Sequence, residues 1–162
     1  MTDTFSTDRL ANAIRAFVIA PEVGLALLVF ASFHLWPAVW EELGVRVELG
    51  DWRIFSALIA AASFLLRQAV VQAAKVSDPD SARRQVLVEW PEYWKLALRV
   101  RVAFVYAVVG ALSVLGGLAM ALSGAEGPLP LLLCVLGLGV QLTTTLTSAY
   151  GAWQVREILD GV

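Results

Sequence analysis

The chain has 162 residues, of which 59% are hydrophobic and only 16% charged, and its mean hydropathy is +0.72. Soluble domains carry about 25% charged residues, so this composition belongs to the membrane class. The formal net charge is -2, and the basic residues form no stripe that could track phosphates, which leaves nucleic acid out as a partner.

Residues 1–7 are polar. Ser6, Thr7 or Asp8 can cap a helix over residues 8–19, where Leu10, Ile14, Phe17 and Val18 share one face and Arg9, Asn12 and Arg15 lie elsewhere. This pattern predicts an N-terminal amphipathic helix lying in the membrane interface; the plainer alternative is a helix packed on the rest of the chain. Asp3 and Asp8 occupy the place of a basic n-region and no small-x-small cleavage site follows, so the segment is expected to remain in the mature protein.

Pro21 opens the first span, residues 22–41, with Gly24, His34 and Pro37 inside it. Pro37 should kink or end the helix, and Trp36 and Trp40 suit an aromatic belt. Residues 41–51 read as a polar connection. The second span covers residues 52–75, and Arg67, Gln68 and Gln72 mark its emergence into water. Ser77-Asp78-Pro79-Asp80 then combines a cap with proline at the next position. It predicts a short helical hairpin carrying Arg83 and Arg84. The third span, residues 92–123, enters through Trp94, Lys95, Arg99 and Arg101. A turn at Ser123-Gly124-Ala125-Glu126-Gly127-Pro128 leads into the fourth, residues 129–153. The apolar cores of these last two spans carry no charge over 20 residues each, enough helix for a hydrocarbon layer of about 30 Å. With no repeat or linker, the chain reads as a single domain: an all-α integral membrane protein of four transmembrane helices.

Four spans place both termini on one side. Ten of the 12 basic residues fall there; Arg46 and Arg53 face the other side with Glu41, Glu42, Glu48, Asp51 and Glu126. The positive-inside rule makes the basic side cytoplasmic, as in a bacterial-type inner membrane.

Helix association in lipid depends on close approach through small residues. The fourth span offers Gly139, Thr143, Thr147 and Gly151 at four-residue spacing; the third offers Ala103, Ala107 and Ala111, plus Gly110 and Gly117. These faces are expected to pack the third span on the fourth, or else to recruit a second subunit. Gln141, Thr143, Thr144, Thr145, Thr147 and Ser148 can line a pore if copies assemble round the fourth span. No selectivity-filter run accompanies them.

His34, the single histidine, is a candidate haem or quinone contact and otherwise a neutral imidazole bonded to a neighbouring helix. Arg67 is a possible ligand contact or a side chain snorkelling to the headgroups. Arg83, Arg84, Lys95, Arg99 and Arg101 can hold lipid headgroups or an acidic partner. Glu22 at a helix start complements the dipole. Gly137-x-Gly139 lacks the preceding strand of a dinucleotide motif, Cys134 is a lone thiol, and no metal-ligand or nucleophile-base spacing appears. No catalysis, metal or cofactor is expected. The reading is a small subunit that scaffolds or stabilises a larger membrane complex, its partners membrane lipids and other integral subunits or itself. A homo-oligomeric pore or transporter-like module is the first alternative, and a haem- or quinone-binding anchor using His34 the second.

Overall fold

The computed structural model describes residues 11, 14–77, 90 and 93–160. Every regular element among them is a helix: α1 (Pro21–Leu35), α2 (Pro37–Arg46), α3 (Trp52–Ser77), α4 (Tyr93–Leu122) and α5 (Leu129–Asp160). Residues 14–18 are also helical. Four stretches are long and apolar enough to cross a membrane: Ile14–Leu35, Trp52–Val76, Tyr93–Leu122 and Leu129–Glu157. The chain is therefore a multi-pass helical membrane protein. The expected hairpin with Arg83 and Arg84, and most of the first half of the expected N-terminal helix, lie outside the described residues.

α1 alone is about 22 Å long and falls short of a hydrocarbon layer of about 30 Å. The helical turn at residues 14–18 completes the first crossing, with a break at Ile19 and Ala20 before Pro21. At the other end Pro37 acts as the sequence suggests. The residue before a proline is driven out of the α region. Trp36 sits at φ -131, ψ 59, ends α1, and hands over to α2 with Pro37 at its first turn. Residues 41–46, read as connection, extend α2 instead. Trp40 turns inward from the expected belt: it is 8% exposed and packs with Leu49, Leu118, Leu131 and Leu132. Its Nε1 donates to Ser32 Oγ over 3.3 Å.

Asp51 caps α3, its Oδ1 accepting from the Arg53 backbone N–H at 2.8 Å. The α4–α5 turn closes as a Schellman motif. Gly124, at φ +79, donates its N–H to Ala121 O at 3.1 Å, and Ala125 donates to Met120 O at 3.0 Å. Glycine meets the left-handed backbone there without strain.

α5 is the hub: it packs against α1, α3 and α4. Its widest contact is with α4, and the buried residues explain why. Val100, Ala103, Ala107, Gly110, Val114 and Gly117 on α4 recur at alternating spacings of three and four. Cys134, Gly137, Gln141, Thr144, Ser148, Gly151 and Val155 do the same on α5. A 3.5-residue repeat keeps one seam facing its partner along two long helices. The small side chains let the backbones come close: a Cβ on Gly110 would lie 2.7 Å from Gly137 O, and one on Gly117 would lie 2.5 Å from Pro130 O.

Candidate functional site

Most polar side chains inside the bundle are committed to holding it together. Gln141 is fully buried, about 18 Å along α5 from Leu129 at 1.5 Å per residue, hence near mid-membrane. Its Nε2 donates to Ala62 O on α3 at 3.1 Å and to Ala107 O on α4 at 3.4 Å. One amide thus clamps three helices. Thr143, Thr144 and Thr145 donate back to the carbonyls of Gly139, Val140 and Gln141 at 2.8 to 2.9 Å, the usual way a helical hydroxyl is satisfied in an apolar setting. Thr145 also reaches Leu65 O on α3 at 3.3 Å.

The small-residue stripe divides among neighbours. Gly139 faces Leu25 of α1, whereas Gly151 lies against Val100 and Leu96 of α4 and Val76 of α3. Thr147 lines a pocket described below. Ala103 and Ala107 are buried on α4, with Ala111 half-buried beside them. The closest approach of α4 to α5 runs through Gly110 and Gly117, both on the expected third-span face, and through Gly137, which was not among the residues expected to carry it.

The arrangement that stands apart from packing surrounds Glu22. This residue is only 2% exposed, and its Oε1, like Gln141 Oε1 and Ser148 Oγ, is buried with no hydrogen-bond partner; of the three, Glu22 alone is an ionisable group. Taking a carboxylate out of water is costly unless a cation or donors compensate. Glu22 lines a pocket of about 380 Å³, together with Arg15, Lys95, Arg99 and Thr147. Ala103 and Thr147 form its inner wall. Each lies about 27–29 Å from the far end of its helix at 1.5 Å per residue, at the edge of a hydrocarbon layer of about 30 Å. Arg15 is two helical turns outward from Glu22. The pocket therefore joins headgroup depth to the bundle interior. Its N-terminal wall is pinned on α4, where Tyr106 Oη donates to Phe17 O at 2.9 Å and the two rings stand 5.9 Å apart.

Of the other expected residues, Arg101 is exposed and outside the pocket. Arg67 is exposed on α3. His34 is exposed near the end of α1, its ring edge-on to Phe30 at 4.5 Å and to Phe33 at 5.8 Å. No group of three metal-ligating side chains occurs among the described residues. Sequence reasoning gave Glu22 only its place at a helix start. The available signal was a carboxylate within an apolar stretch, seven residues after Arg15.

Comparison with protein-family models, curated proteins and solved structures returns no match to this chain. The fold defines a class alone: a four-span helical membrane protein.

Proposed function

We propose that this chain is a small integral subunit that scaffolds or stabilises a larger membrane protein complex, with no catalysis of its own. In this reading it sits in a bacterial-type inner membrane with both termini cytoplasmic. The amphipathic segment from about residue 8 enters through the interface, and the cytoplasmic hairpin carries Arg83 and Arg84. The observation that carries it is the unequal cover of the spans. Burial reaches 39% and 44% in the third and fourth, but only 11% in the first and second. The main contact of α1 with the long helices is α5, and Leu27, Phe30 and His34 share an exposed face. Ser63 and Arg67 are exposed on α3. Polar side chains on a lateral membrane face are costly against lipid and gain most from a protein neighbour. A pore round α5 draws less support, because the polar side chains Gln141, Thr144 and Ser148 of α5 are buried within the bundle, while the face α5 leaves exposed carries Leu142, Leu146 and Trp153. A cofactor anchor draws less as well, since His34 is the chain's single histidine.

A photo-crosslinking residue at Leu27, activated in intact membranes, tests the proposal. The expected product is one discrete protein adduct, with the same species co-purifying after mild extraction; a control at Leu115 on exposed α4 should give lipid adducts. Lipid adducts alone at Leu27 would overturn it.

A further inference from the structure

We propose that the pocket beside Glu22 binds the zwitterionic headgroup of a phospholipid bearing a primary ammonium and a phosphate, of the ethanolamine kind. The inference goes beyond the scaffolding reading and does not depend on it. Three observations converge. First, the Glu22 carboxylate is buried, and its Oε1 lacks a donor among the residues round it. A ligand ammonium supplies the missing hydrogen bond in its charge-assisted form. Second, Arg15 and Arg99 line the same pocket. Their guanidinium forks match a phosphate oxygen pair, so anion and cation sites lie within one cavity. Third, the cavity, at about 380 Å³, suits a small polar group and opens at headgroup depth.

The donor that each headgroup offers Glu22 ranks the candidates. A glycerol headgroup offers phosphate and neutral hydroxyl donors, but no cation to pair with Glu22. A choline headgroup offers a cation without an N–H. Only a primary ammonium satisfies both ends. Thr147 adds a hydroxyl at the inner wall that can accept from the ammonium or donate to the ligand.

The test uses the full chain, delipidated in detergent. Binding is followed by native mass spectrometry and by thermal stabilisation with phosphatidylethanolamine, phosphatidylcholine and phosphatidylglycerol of matched acyl chains. The expected result is about tenfold or greater preference for the ethanolamine lipid, the scale of one charge-assisted hydrogen bond. Glu22→Gln should abolish that preference yet still bind all three lipids, while Arg15→Gln with Arg99→Gln should weaken all three together. Soluble glycerophosphoethanolamine separates the sources. Tight binding of the free compound assigns the same chemistry to a soluble ligand; binding of the lipid only assigns it to the bilayer. Equal binding of the three lipids by the unsubstituted chain would overturn the proposal, even if Glu22→Gln fails to fold. So would a preference that survives Glu22→Gln.

Discussion

A single methyl group tests where α4 and α5 meet. A Cβ on Gly137 would collide with Gly110 O and lie 2.9 Å from Val114 N. Both are backbone atoms in a helix and cannot swing aside. Gly116, one residue from the seam glycine Gly117, would place a Cβ in open space. Overpacking of this kind costs about 1–3 kcal/mol, whereas an unhindered Gly→Ala in a helix gains up to about 1 kcal/mol. Gly137→Ala should therefore lower the unfolding temperature in detergent and Gly116→Ala should hold or raise it. Cys134 reports the same event locally. It is the only cysteine and lies buried on the seam, its Sγ 3.8 Å from Val114 O. A membrane-permeant maleimide should label it faster in Gly137→Ala and at the parental rate in Gly116→Ala. Equal labelling of the two variants would mean that the helices do not meet at Gly137.

The same thiol distinguishes elements. Gly139 faces α1, where the nearest obstacle is Leu25 Cδ2, the far end of a flexible side chain, at 2.8 Å. Gly139→Ala should cost under about 1 kcal/mol because that methyl can rotate away. Gly139→Leu should force α1 off α5 yet leave Cys134 protected, since the α4–α5 seam lies on another face. Accelerated Cys134 labelling in Gly139→Leu would show that α1 and the seam form one cooperative unit. This division of faces was only partly legible in the chain. Long uncharged stretches announced the spans, Pro37 announced the α1–α2 joint, and Gly124 announced the turn. The seam was obscured because small residues are so frequent in α5 that a four-residue stripe and a three-four alternation can both be drawn through them. Only the partner helix chooses between them. Trp40 read as a belt residue because tryptophan suits that depth, and nothing local reveals that Leu131 and Leu132 cover it. Glu22 carried little signal for a related reason: a carboxylate in a first helical turn is ordinary, and Arg99 and Thr147 reach it only once α4 and α5 are in place.

Across the whole molecule, helix length and charge point the same way. α4 and α5 measure about 45 and 48 Å, well beyond a hydrocarbon layer of about 30 Å. Their far ends are joined by a tight turn, and Gly44 of α2 packs against it, a Cβ there lying 3.4 Å from Pro128 Cα. The excess length must therefore project at the other end, where Trp94, Lys95, Arg99 and Arg101 open α4 and Trp153 and Arg156 lie late in α5. Exposed Trp36 and Trp52 lie at the far end and exposed Trp94, Tyr150 and Trp153 at the near one, so an aromatic girdle can form at each boundary. Moving the cationic end across a membrane would carry most of the chain's basic residues through hydrocarbon, at about 2.5–3.5 kcal/mol for each one centred there. The Glu22 pocket would then face the outer leaflet. A reporter active only outside the cytoplasm, fused after Val162, should stay silent, and the same reporter inserted after Gly50 should be active. The reverse pattern would invert the bundle and place the pocket's headgroup partner in the opposite leaflet.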